Sequence, residues 1–280
     1  MAPLKHVVMF SGGVGSWATA KRVAELYGTD NLTLLFADVG GKHTSPHAGE
    51  DEDCYRFIED AHRNVGGELV ILNEGRDIWE VFRDNRFLGN SRLANCSKFL
   101  KQQPCREWLD ANCDPENTAV YVGIDWSETH RIPAIEKAYL PYAAFCPMTE
   151  PPYLGKEEML EWCREEGLEP PRMYAAGFPH ANCGGGCVRA GHGQFKLLFE
   201  QNPERFAYWE QKEQELRDYL EKDVAILRDR SGGKSTPLPL SVFRRRLEGE
   251  PELVDADDIG GCGCFVDEPA NFPTQMELDL

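Results

Sequence analysis

The sequence has no apolar run approaching the ~18 residues a membrane-spanning helix needs, which excludes such a helix. It has no basic flank followed by a long apolar stretch in Met1–Phe10, so no secretory leader is expected. Lys and Arg are absent from residues 247–280, where ten Asp and Glu stand, so that segment accounts for −10 of the net −17 and leaves −7 for the rest. A body this mildly acidic disfavours non-specific nucleic-acid binding, whose affinity comes from neutralising phosphates. No internal repeat is visible. Ten cysteines without an export signal point to a reducing, cytoplasmic setting, where cysteine clusters mean metal or catalysis more often than disulfides.

What is there begins with alternation. His6–Phe10, Leu32–Ala37, Glu68–Leu72 and Val120–Ile124 read as buried strands. Helical patterns lie between them, with Ala20, Val23, Ala24 and Tyr27 as the stripe of the first, and others over Asp53–Asn64, Asp77–Arg83 and about Ser97–Asn112. The expected fold is α/β, a Rossmann-like parallel sheet covered on both faces, with ligands bound beyond the carboxyl ends of its strands. Three segments are expected: 1–150 as the nucleotide-binding α/β domain, 151–246 as a helical, cysteine-bearing region, and 247–280 as an acidic tail. In the second, helices are expected over Lys156–Glu166, from near Gln194, and over Pro203–Arg228 with Trp209, Leu216, Leu220, Val224 and Leu227 inward.

Ser11-Gly12-Gly13-Val14-Gly15-Ser16 leaves the first strand and opens a helix. Such a loop aims unsatisfied amides and the positive helix end at an anion. The Walker pattern fails because no Lys stands at the helix start. The dinucleotide pattern G-x-G-x-x-[GA] matches at Gly13–Ala18, with Asp38 near the place of a ribose partner, so an NAD(P)-binding oxidoreductase is one reading. Ser-Gly-Gly-x-x-Ser is another, and a tight strand-to-helix turn a third. Ser231-Gly232-Gly233-Lys234-Ser235 looks phosphate-binding, but Arg228 stands where Walker's first glycine belongs, and a helix C-cap and turn is expected.

Cys183 and Cys187 lie in a glycine-rich turn, and Cys262 and Cys264 in another. Flexible turns let soft thiolates converge on zinc or an iron–sulfur cluster. A four-cysteine zinc staple and buried free thiols are the plain alternatives. Cys54, Cys146 and Cys163 read as core-filling, and Cys105 and Cys113 as secondary ligand candidates. His180 and His192 bracket the first turn and are expected to be structural, while His43 and His47 follow Asp38 in a loop. Arg244–Arg246 are expected on a helix surface.

Four segments together resemble one family. Cys96-Ser97-Lys98-Phe99-Leu100-Lys101-Gln102-Gln103-Pro104 is similar to C-[ST]-x-x-L-K-x-x-P; Gly123–Arg131 to G-x-x-x-x-E-x-x-R; Pro171–Phe178 to P-x-x-Y-x-x-G-F; and Ser11–Ser16 to the PP-loop. In this order, over about residues 6–200, they resemble the phosphoadenosine phosphosulfate (PAPS) reductase-like family of the adenine nucleotide alpha-hydrolase superfamily. The resemblance implies ATP or another adenine nucleotide, with Mg2+, at Ser11, Gly12, Gly13, Gly15, Ser16, Asp38, Lys98, Lys101, Gly123, Glu128 and Arg131. It implies a 4Fe-4S cluster on Cys96, Cys183, Cys187 and Cys262, with Cys262 or Cys264 as nucleophile. Adenylation of an acceptor followed by sulfur delivery is the activity it suggests. A sulfonucleotide reductase and a non-catalytic nucleotide- or metal-binding module are the alternatives. The expected partners are the nucleotide and an unidentified sulfur acceptor, nucleic acid or small molecule, with no membrane; a homo-oligomer is compatible with the sequence. Two positions depart from the family: Gly15 replaces the aspartate of SGGxDS, and the late pair is C-x-x-x-C instead of C-x-x-C.

Overall fold

The computed structural model describes residues 4–41, 45–90, 93–231 and 233–261. Five short apolar segments pair into one all-parallel sheet. They are β1 (Lys5–Met9), β2 (Leu32–Asp38), β3 (Glu68–Asn73), β4 (Thr118–Val122) and β5 (Ala143–Phe145), in the order β3-β2-β1-β4-β5. Every pairing is parallel, and each parallel crossover is filled by helix. The chain is therefore α/β with Rossmann-like layering, as the alternation predicts.

Strand alternation divides the core. Val8, Leu34 and Phe36 point to one face, under α1 (Val14–Tyr27), α2 (Glu52–Val65) and α7 (Lys156–Glu165). Val7, Met9 and Leu35 point to the other, under α5 (Gln103–Asn112) and α6 (Ile132–Tyr139). A third cluster joins α3 (Ile78–Asp84), α9 (His192–Gln201), α10 (Pro203–Leu220) and α11 (Leu240–Gly249) around Trp79, Phe82, Phe195, Trp209 and Phe243. The long aromatic-rich helices thus pack beside the sheet, sharing Val39 and Leu100 with the first half of the chain.

Some expectations need correction. The stripe of α1 holds at Ala20 and Val23, but Tyr27 is exposed at the helix end, stacked on His6 at 4.3 Å. The helix expected over Pro203–Arg228 stops at Leu220: Glu221 turns left-handed (φ 54°), and Leu227 lies in a strand, β6 (Leu227–Asp229), paired antiparallel with β7 (Thr236–Leu238). The buried Glu213 carboxylate draws the chain away from helix, accepting the Ile226 amide at 2.9 Å and the Leu240 amide at 2.6 Å. The Ser231–Ser235 segment accordingly belongs to a hairpin, not a helix end. The run expected as one helix over Ser97–Asn112 has a π-helical stretch at Lys98–Gln102 between α4 (Asn95–Ser97) and α5.

The last described residues fold back on α9. Gly193 and Gly191 donate their amides to the carbonyls of Asp258 (2.9 Å) and Ile259 (3.1 Å), so backbone oxygens cap a helix that has no side-chain cap. Gly260 bridges Ala190, and the Gly261 amide reaches the Arg189 carbonyl at 3.2 Å.

Candidate functional site

In this strand order the connections from β1 and from β4 diverge, and such a switch point opens a crevice beyond the carboxyl ends of the two strands. A cleft of about 380 Å³ lies there, lined from one side by Met9, Ser11, Gly13, Gly15 and Ser16, and from the other by Val122, Gly123, Asp125, Glu128 and Arg131. Lys156, Tyr174, His180 and Asn182 close it. Its size is in the range of small-molecule sites.

The phosphate-binding character of the loop follows from its backbone. α1 starts with neither a side-chain cap nor a carboxylate in its first turn, so its positive end stays available to an anion. The hydroxyls brace the loop: Ser16 donates to the Gly13 carbonyl at 2.8 Å, Thr19 to Gly15 at 2.8 Å, and Ser11 to Ser16 at 3.3 Å. Gly123 is required by proximity, because a Cβ there would sit 3.0 Å from the Gly15 carbonyl. Tyr174 reaches in from the second half of the chain and accepts the Val14 amide at 3.1 Å.

Charge in the cleft is mixed. Glu128 pairs with Arg131, and Asp125 accepts from the Ser127 amide at 2.8 Å and hydroxyl at 2.6 Å. Lys156 is steered by the Pro179 carbonyl at 2.6 Å. Burial, together with the Lys156 and Arg131 charges, pulls the His180 imidazole down to about 4, so it is neutral near pH 7.

Of the sequence-predicted nucleotide residues, Ser11, Gly13, Gly15, Ser16, Gly123, Glu128 and Arg131 line the cleft. Four do not. Gly12 (φ 76°) turns toward α2, its carbonyl accepting from the Cys54 thiol at 3.6 Å. Asp38 braces strand ends, accepting from the Tyr55 hydroxyl (2.7 Å), the Gly40 amide (2.9 Å) and the Asn73 amide group (3.1 Å). Lys98 lies over the Phe99 ring at 5.4 Å. Lys101 is buried in an ion pair with Glu50 at 3.3 Å.

Lys101 instead lines a second, small cavity of about 20 Å³ that gathers Cys96, Cys183 and Cys187 with Arg189, Ile78 and Trp209. Residues 87 positions apart in sequence are thereby brought together (Cys96 to Cys183). The Cys183 thiol is pushed well up by its hydrogen bond with Cys187 and by burial, while Lys101 pulls it the other way. The Arg189 amide donates to the Cys187 sulfur at 3.5 Å. Among the described residues no group of three or more His, Cys, Asp or Glu is gathered tightly enough to hold a metal ion. Cys262 and Cys264 lie outside the described residues, as does His43.

The two cavities share one turn: Asn182 lines the cleft, and its neighbour Cys183 lines the thiol pocket. Sequence reasoning missed what holds that turn. The Glu50 carboxylate accepts both the Cys183 amide and Lys101. Arg205 donates to the carbonyls of Gly49 at 3.0 Å and Pro46 at 2.9 Å, fixing the loop that carries Glu50. Nothing in the spacing of Glu50, Arg205 or Lys156 marks them. His192 is structural as expected, contacting the Arg228 carbonyl at 3.0 Å and accepting the Asp255 amide at 3.3 Å. Cys54, Cys105 and Cys163 are buried in the core.

No family model matches the chain, and no curated protein matches it.

Proposed function

We propose that this chain is a PAPS reductase-like protein of adenine nucleotide alpha-hydrolase type that uses an adenine nucleotide and bound thiolates to transfer sulfur to an acceptor. The observation that carries the reading is the shared turn: a cleft with an uncapped helix end and a pocket of three cysteines meet at Asn182–Cys183. A nucleotide-activated substrate and a sulfur-bearing centre need that adjacency.

In this reading the nucleotide phosphates lie against Ser11–Ser16, with Arg131 and Lys156 on the opposite wall. Magnesium usually takes one or two carboxylates besides phosphate oxygens, and Asp125 and Glu128 are the carboxylates that line the cleft. The acceptor attacks the α-phosphorus, the bond to the β-phosphate breaks, and pyrophosphate leaves. A sulfur nucleophile then displaces AMP from the activated acceptor.

The donor set suits a soft metal centre: three thiols, apolar walls, and Lys101 and Arg189 to offset negative charge. When bound, a 4Fe-4S cluster would supply or carry sulfur. Cys96, Cys183 and Cys187 would hold it, and the pocket walls must part to admit it, since a 20 Å³ space takes about one water. Cys262 is the proposed fourth ligand: it follows Gly261, whose amide is on the Arg189 carbonyl, two residues from Cys187. Cys264 is then the proposed nucleophile.

One observation favours sulfonucleotide reduction as a second reading. Gly15 faces the cleft where a loop carboxylate would assist pyrophosphate release, and a reductase has no such step. Anaerobic purification with an absorption spectrum and iron, sulfide and zinc analysis tests the centre; a colourless protein with zinc alone overturns the cluster. Acceptor-dependent conversion of ATP to AMP and pyrophosphate supports transfer, whereas thiol-dependent release of sulfite supports reduction.

A further inference from the structure

We propose that Asn182 couples the nucleotide cleft to the thiol pocket, so that a bound nucleotide sets the reactivity of Cys183 and Cys187. The inference rests on the adenine-nucleotide reading of the cleft.

The coupling element is a turn with the wrong hand. Cys183 (φ 55°, ψ 25°), Gly184 (φ 54°, ψ 29°) and Gly185 (φ 84°) are all left-handed in succession, and the Gly186 amide closes the turn on the Cys183 carbonyl at 3.0 Å. Left-handed backbone is ordinarily visited by single residues, and a residue with a Cβ loses ~1–2 kcal/mol there. Cys183 is the member of this run that has a Cβ, so the turn holds a strained thiol that has a relaxed alternative.

The turn also has no slack. A Cβ at Gly184 would run into the Arg205 guanidinium, and one at Gly186 would sit 2.4 Å from the Trp209 indole. The Cys183 amide is fixed on Glu50. On the cleft side, the Asn182 side-chain oxygen lies 3.9 Å from the position of a Cβ on Gly13, so it packs against the phosphate loop. A group bound at that loop presses on Asn182 and holds the strained form; an empty loop lets the turn relax. Cys183 and Cys187 do not line the cleft, so a nucleotide there acts on them through the turn and not by covering them.

The test uses the full chain, stripped of metal by chelator and reduced, pulsed with iodoacetamide and analysed by peptide mass spectrometry. Saturating ATP with Mg2+ is expected to slow alkylation of Cys183 and Cys187 by about fivefold or more. Cys113, remote from both cavities, serves as the internal control. Asn182→Ala, at an ATP concentration saturating for the variant, is expected to lose that protection while its melting temperature stays near wild type. ATP binding by calorimetry without any change at the two cysteines overturns the coupling and leaves the nucleotide reading intact. Equal protection in Asn182→Ala overturns the assignment to Asn182. Failure to bind any adenine nucleotide removes the reading beneath, and the coupling with it.

Discussion

The Tyr174 hydroxyl accepts a hydrogen bond from the Val14 amide at 3.1 Å, across 160 residues of sequence. It ties the α8 segment (Arg172–Ala175) to the first turn of α1, where phosphate is proposed to bind. Tyr174→Phe removes this acceptor and leaves a partly buried amide without it, at a cost of about 1–2 kcal/mol. A drop in melting temperature of about 2–4 °C is expected, read by calorimetry. ATP affinity should fall about fivefold, because the loop loses its outer brace. An unchanged affinity would mean that the tyrosine supports the fold alone.

Lys101 and Glu50 are almost wholly buried, and each is the other's counter-charge. Removing one partner of such a pair leaves an uncompensated charge and costs about 3–5 kcal/mol. Lys101→Met should therefore destabilise strongly in denaturant unfolding, and Lys101→Met combined with Glu50→Gln should recover most of the loss. Gln at position 50 can still accept the Cys183 amide. Additive losses in the double variant would show that the two side chains act independently.

His180 is held near a pKa of about 4 by burial and by the neighbouring charges of Lys156 and Arg131. A polyphosphate entering the cleft offsets those cations and raises it. The complex then binds a proton that the free protein does not, so ATP affinity should rise as pH falls from 7 toward 5. Titration calorimetry in buffers of different ionisation enthalpy should detect uptake of up to about one proton per nucleotide near pH 5. His180→Gln should abolish it.

Glu213 gives the opposite slope in stability. Burial raises its carboxyl to about 7, against 4.5 for the free group. Between those values the folded state binds more protons than the unfolded chain, so its contribution is full below about 4.5 and is lost as pH rises through 7. The loss is on the order of 3 kcal/mol. Glu213→Gln should flatten the pH dependence of unfolding between pH 5 and 7, and a slope identical to wild type would assign that dependence elsewhere.

Buried periodic elements were legible because apolar runs carry them: β1 and β2 lie within a residue of the segments read from Val7–Phe10 and Leu32–Ala37. β5 was not, since Ala143-Ala144-Phe145 is too short to show alternation, and α10 was read past its end because Val224 and Leu227 continue its stripe. Glycine and cysteine motifs located both cavities, because chain order and strand ends already constrain where they meet. Side-chain direction was beyond reach. Asp38, Lys98 and Lys101 stand near strand ends in sequence, yet each is turned away from the cleft by partners such as Tyr55, Phe99 and Glu50. The Glu50–Cys183 contact spans 133 residues and leaves no local trace.

The carbonyls of Asp258 and Ile259 serve as the missing cap of α9. Shortening the chain to end before Asp255 would strand the Gly191 and Gly193 amides at a helix start already crowded by protein, with little room for water to substitute. The acidic stretch is thus partly architectural: a fragment intended to behave as the intact protein has to keep residues through Gly261, and tags or fusions belong beyond that point.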